Sequence, residues 1–146
     1  MSIETWKAEF MPVSANDPLV QINGVEAARH SWWKWYGMLP KNLAKHHVKL
    51  DQFNSEVSGS DGRGVYVMGS SNCALCVRYR DNSGFTDCTI CPLAIVRGGV
   101  ECFCATETEV ISPYEAATEG SPKELVWWLE KAFQEAKLSV RQGGAK

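Results

Sequence analysis

The sequence predicts an α+β protein: a small β-rich module built around cysteines, packed against two amphipathic helices, with an N-terminal arm. Three observations predict it. Every cysteine of the chain falls between Cys73 and Cys104. Two stretches outside that region, beginning near Asn23 and Ser121, repeat apolar residues at helical spacing. Short runs such as 65–68 and 77–80 carry β-forming residues and are bounded by Gly, Asn, Asp and Ser.

The 146 residues read as one domain. Its parts are an arm over 1–22, a helical segment over 23–54, a cysteine-rich region over 65–106 and C-terminal helices over 112–140. In the arm, Ile3, Trp6, Phe10, Met11 and Val13 are apolar, with breaks at Pro12 and Pro18. Residues 6–10 fit one or two helical turns, and 11–13 should be extended, because proline disfavours helical geometry in the residue before it. The arm is expected to dock on the domain. A helix should follow Asn23, an N-cap with Glu26 in capping-box position. Val25, Ala28, Trp32, Trp35, Tyr36 and Leu39 form its apolar stripe. Glu26, His30 and Lys34 fall on the opposite side, and Trp33 lies at the flank. Gly37 and Pro40 end the helix, and a second short one over 41–47 turns back. His46 and His47 at its end read as solvated residues interacting with the helix dipole, with no acidic partner in view. Residues 55–64, S-E-V-S-G-S-D-G-R-G, read as a flexible connector. They match neither the phosphate-loop nor the dinucleotide pattern.

The cysteines carry the clearest chemistry. Cys73 and Cys76 form one C-x-x-C, and Cys88 and Cys91 a second. Two thiolates three apart on a tight turn can point at one cation, and two such turns facing each other give the tetrahedral sulfur site that zinc prefers. The expected ligands of one structural zinc ion are therefore Cys73, Cys76, Cys88 and Cys91, with Cys102 as the alternative ligand. The module is in this sense a zinc knuckle. Residues 77–80 should be a strand, 81–84 a turn and 85–87 the return, giving a hairpin between the knuckles. Residues 92–96 should be a short helix with Pro92 in its first turn and Gly98-Gly99 at its end, and 101–106 another short strand. Disulfides would need an oxidising compartment, which nothing in the chain indicates. An iron–sulfur cluster is a rival, because Cys91-Pro92 matches the C-P ending of ferredoxin runs. The compact C-x-x-C-x-x-C run is missing, however.

Ser112-Pro113-Tyr114-Glu115 and Ser121-Pro122-Lys123-Glu124 each combine a serine N-cap, proline at the first helical position and glutamate at the third. The first opens a short helix to about Thr118. The second opens a long helix to about Leu138, with Leu125, Trp128, Leu129, Ala132, Phe133 and Ala136 as its core stripe and 141–146 as a frayed tail. Trp127 lies nearly opposite that stripe. Either the N-terminal arm covers it, with Trp6 or Phe10 alongside, or it belongs to a partner or self-association surface.

The segments C-A-L-C, C-T-I-C-P-L, G-V-E-C and S-P-Y resemble those of a group of small Cys-rich accessory proteins of tailed bacteriophages, mostly of unassigned function. W-K-A-E-F-M-P-V and H-S-W-W-K-W-Y-G-M-L-P-K-N-L-A-K-H extend the resemblance over most of the chain. The recurring cysteines of that group match Cys73, Cys76, Cys88, Cys91 and Cys102, while Cys104 is extra. Five recurring thiols for four coordination positions leave the ligand set open. The resemblance implies an accessory protein that binds and redirects a host protein, and it supplies no catalytic residues.

Composition narrows the rest. With 45% hydrophobic and 22% charged residues the chain is of globular type, and a net charge of -2 creates no overall basic field. The first ten residues lack the basic start and apolar core of a secretory signal, and no apolar run spans a bilayer. A cytoplasmic protein of an infected bacterial host is expected. No nucleophile, base and acid are grouped for catalysis. The leading expectation is a zinc-stabilised interaction protein, acting against a host defence or host enzyme, with Trp127, Trp33, Arg78 and Arg80 as candidate contact residues. The alternative is a nucleic-acid-binding zinc module. It rests on Arg63, Arg78, Tyr79, Arg80 and Arg97, which bring basic and aromatic groups near the knuckles.

Overall fold

Residues 2–10 enter the core instead of docking on it. In a computed structural model, described over residues 2–80 and 87–141, helix α1 spans Ile3–Phe10 and is closed by a capping box between Ser2 and Thr5. Its i, i+3, i+7 positions Ile3, Trp6 and Phe10 are all buried. The Trp6 indole donates to the Gly37 carbonyl at 2.8 Å. Gly37 has an ordinary helical backbone, so its φ does not call for glycine. Its need is space: a Cβ there would overlap the Phe10 ring. The expected arm is thus a core helix, because its aromatics fill the angle where the next helix ends.

Helix α2 spans Gly24–Tyr36, and the Asn23 side chain accepts from the Glu26 amide as expected. Its burial differs from the expected single stripe. Gly24, Ala27, Ala28, Ser31, Lys34 and Trp35 are buried, while Val25, Trp32 and Tyr36 are only partly so. Two partners cause this. The long helix α7, Lys123–Arg141, packs along one side, with Leu125, Val126, Leu129, Ala132 and Ala136 buried. Helix α4, Ala74–Arg78, covers the other side, where glycine, alanine and serine let its backbone approach. His30, expected on the open side, is buried. Its Nε2 donates to the Val13 carbonyl at 2.8 Å, and burial holds its pKa below the usual value.

Helix α3, Pro40–Lys45, ends at His46, with His47 left-handed at φ 55°. His46 is not solvated. Its Nε2 lies 2.7 Å from Glu9 Oε1 and its Nδ1 2.8 Å from the Thr5 hydroxyl. That carboxylate on α1 is the acidic partner the sequence did not reveal. The Thr5 hydroxyl is also engaged in the capping box of α1, so the trio fastens α3 to α1.

Three short strands form an antiparallel sheet in the order β1-β2-β3: Lys49–Asp51, Glu56–Ser58 and Gly64–Tyr66. Leu50 faces Val57, and Val57 faces Val65. Part of the expected flexible connector is therefore a hairpin, because Val57 is fully buried and pins its register.

The cysteine region is helical where strands were expected. Residues 77 and 78 belong to α4, and 101–106 form turns. Leu75, Val77 and Tyr79 meet the core on a helical turn, so their alternation did not signify a strand. The turn expected over 81–84 and the first residues of its return lie outside the described residues. Their flanks meet, with the Asp87 amide donating to the Tyr79 carbonyl at 2.7 Å. Helix α5, Pro92–Val96, and helix α6, Pro113–Thr118, match expectation. Gly98 and Gly99 follow α5 with φ of 72° and 90°, a conformation that favours glycine. Helix α7 runs on to Arg141, and the expected tail beyond it lies outside the described residues.

Arg97 closes the loop between α5 and α6. It is buried, forms a two-pronged pair with Glu109 at 3.0 and 3.1 Å, and donates to the Cys104 and Val100 carbonyls. Arg97 holds the Glu109 carboxyl down to about 2 from the usual 4.5. A depressed carboxylate stabilises the fold above its unfolded value and loses that contribution as pH falls through the folded one. Wild type should therefore lose melting temperature between about pH 4.5 and 2. Glu109→Gln should start lower at neutral pH, because it leaves Arg97 buried without its counter-charge. Its melting curve should then meet that of wild type near pH 2. Parallel curves over that window would remove the pair from the pH dependence.

Candidate functional site

Three segments deliver the thiols. A 3-10 turn over Ser70–Asn72 leads to Cys73, the residue that starts α4, so Cys76 sits one turn into that helix. A second 3-10 turn over Cys88–Ile90, capped by Asp87, leads to Cys91, which starts α5. Cys102 and Cys104 follow in the turns after α5. All six thiols are free. Cys73, Cys76, Cys88 and Cys102 line one cavity of about 290 Å³ beneath Tyr114 and against Lys34 of α2. Cys91 is buried beside them, and Cys104 is exposed.

The electrostatics centre on Cys73. Its sulfur accepts from the Cys76 thiol and the Cys76 backbone amide, and the Ser31 hydroxyl lies 3.6 Å away. The Cys76 hydrogen bond, with the Lys34 charge nearby, holds the Cys73 thiol well below its usual range. Cys76, donating that bond and desolvated, is pushed far up. Burial, followed by the charge of Cys73, pushes both Cys91 and Cys102 up to about 12. Two amides at the start of α5, those of Leu93 and Ala94, point at the Cys91 sulfur and work against that rise. Cys88 is raised by burial, then by Glu101 and Asp87. Cys73 thus acts on each of the other four inner thiols. Burial and the charge of Cys73 oppose the ionised form at Cys76, Cys88, Cys91 and Cys102. A divalent soft cation would favour releasing their protons. Among the described residues, no three His, Cys, Asp or Glu side chains stand together as a group that could hold a metal ion.

Sequence reasoning also misplaced Lys34. Helical period set it opposite the apolar stripe, yet it is fully buried and lines the cysteine cavity. Its ammonium donates to the Val67 and Asn72 carbonyls, both at 2.6 Å. Burial pulls it down to about 8, with the charges of Cys73 and Cys76 acting the other way. The overlooked signal was the run of small residues at 24, 27, 28 and 31. It marks a face of close approach, and that face continues to Lys34.

The candidate contact residues are scattered. Arg78 donates to the Gln21 carbonyl at 2.9 Å, and Arg80 reaches the Ser70 carbonyl at 3.2 Å. Of the five basic and aromatic groups noted near the cysteines, only Arg63 and Arg80 are exposed, and Arg63 pairs with Glu4 and Asp61. Trp33 is half-buried between α1 and α2, stacked on Tyr36 at 4.9 Å, with its indole donating to the Glu9 carbonyl. Trp127 is 50% exposed. The N-terminal residues do not cover it, because Trp6 and Phe10 are buried against the end of α2. Its ring stands edge-on to Trp128 at 4.8 Å, with the Lys131 ammonium 5.1 Å above it. No helix among the described residues is long and apolar enough to cross a membrane. Comparison of the chain with protein-family models, with curated proteins and with solved structures returns no match.

Proposed function

We propose that the inner cysteines hold one structural zinc ion and that the chain acts by binding another protein through the face around Trp127. What supports the metal is that free thiols from three separate segments line or border one cavity, with Cys73 acting electrostatically on the others. Four thiolates and no open position make a structural site, not a catalytic one. Zinc would draw the sulfurs closer than they stand. Cys73, Cys76, Cys91 and Cys102 are the most enclosed set, with Cys88 at the rim beside Glu101 and Asp87. The cysteine pattern's resemblance to tailed-phage accessory proteins makes a host defence protein or host enzyme the proposed partner.

The binding face rests on Trp127, a large aromatic left half-open on α7 with Val126 and Lys123 beside it in a shallow groove. A half-exposed tryptophan is costly to leave bare and is enriched where partners bind. Trp127→Ala tests this. The isolated variant should melt within about 0.5 kcal/mol of wild type, as surface substitutions do. Affinity for a partner identified by co-purification should fall by roughly 30-fold or more, the measure of a hot-spot aromatic. A variant that keeps the partner at wild-type affinity would move the interface elsewhere. Elemental analysis of the purified chain tests the metal, with one zinc per chain expected.

A further inference from the structure

The Lys34 ammonium is fully buried. Among the described residues no ion pair includes it; it donates to the Val67 and Asn72 carbonyls and lies 5.4 Å from the centre of the Trp35 ring. A buried cation held by two carbonyls and an aromatic face is costly, because these replace water only in part. An ammonium has three protons to donate, and two are placed. The same side chain lines the cavity with Cys73, Cys76, Cys88 and Cys102. One of its acceptors, Asn72, immediately precedes Cys73. One turn earlier on α2, the Ser31 hydroxyl reaches the Cys73 sulfur at 3.6 Å and receives the Leu75 amide at 3.3 Å. Lys34 and Trp35 line the cavity from α2, and Ser31 meets the Cys73 sulfur beside them.

We propose that Lys34 is the built-in counter-charge of the cysteine site, so that a soft divalent cation bound by thiolates is held more tightly because this ammonium is present. This inference rests on the metal reading above and adds a positioning residue from outside the cysteine motifs. Four thiolates around a divalent ion carry a net charge of two minus. One ammonium lining the same cavity halves it. At the separations of a shared cavity and an effective interior dielectric near 20, such an interaction changes affinity by about tenfold or more.

The test separates the charge from the carbonyl ties. Lys34→Gln keeps amide donors for Val67 and Asn72 and removes the charge. Lys34→Met removes both. The probes are the metals alone: cobalt(II), followed by its thiolate absorption, and zinc(II), in competition with a chromophoric chelator. Expected are wild-type loading at one ion per chain and affinities about tenfold or more lower in both variants, with the cobalt spectrum still that of a thiolate complex. Wild-type affinity in Lys34→Gln would show that the ties alone matter and would overturn the proposal, while wild-type loading upholds the metal reading. A wild-type chain that takes up neither metal would overturn both. Nitrogen NMR of the Lys34 ammonium in the unaltered chain covers the case in which neither variant folds. Its resonance should move when zinc is added, and one that stays in place while zinc loads would overturn the proposal.

Discussion

Cys73→Ser is expected to abolish zinc binding and to unfold the cysteine half of the chain. Structural zinc supplies folding free energy directly, on the order of 10 kcal/mol in small zinc domains. The whole stability of a domain is about 5–15 kcal/mol, so losing a central ligand leaves little margin. On the proposed zinc reading Cys73 is the thiol whose loss should matter most, because it starts α4, meets Ser31 of α2 and acts on Cys76, Cys88, Cys91 and Cys102. Serine keeps the volume and a hydrogen-bonding group but is a poor zinc ligand. The measurements are zinc per chain by elemental analysis and thermal melting with and without a chelator. A variant that melts as wild type does, or a well-folded wild type free of metal, would sink the structural-metal reading. The same assay assigns the spare thiol. Cys104→Ser and Cys88→Ser should keep zinc, because one is exposed and the other sits at the rim. Cys91→Ser and Cys102→Ser should not.

Helix starts were legible in the sequence because capping is local chemistry. Asn23 with Glu26, Ser112 with Glu115 and the prolines at 92 and 113 all act within one turn. Each C-x-x-C was legible for a similar reason, since it is local, and each leads into a short helix, α4 or α5. What the sequence hid was determined by distant partners. Residues 77–80 alternate as a strand does, yet α2 offers a groove of small side chains into which a helical turn fits. Lys34 looked like a solvated face because a helical wheel knows one core side, and α2 has two. Glu9 and His46 are 37 positions apart, so their bond had no signature within either segment. The cavity, too, depends on which faces of α2 and α7 meet, and so had no signature in the cysteine spacing alone.

The second large effect should come from Trp6→Ala, far from the cysteines. Trp6 has no exposed surface, contacts Phe10 with ring centres 5.9 Å apart, and donates its indole N–H to the Gly37 carbonyl. Truncating a buried tryptophan costs about 3–5 kcal/mol through lost burial and the cavity left behind. The orphaned Gly37 carbonyl adds about 1 kcal/mol or more. Gly37 cannot close over the gap, because it is glycine to make room for Phe10 in the first place. The melting temperature should fall by roughly 10 °C or more, using a few degrees per kcal/mol for a chain of this size. Circular dichroism melts, with zinc content measured alongside, check it. Zinc should stay bound in the fraction that remains folded, because α1 does not line the cysteine cavity. If residues 1–22 were instead a docked arm, Trp6→Ala would cost little and a chain lacking those residues would fold. A melting temperature within a degree or two of wild type would restore that picture and remove α1 from the core.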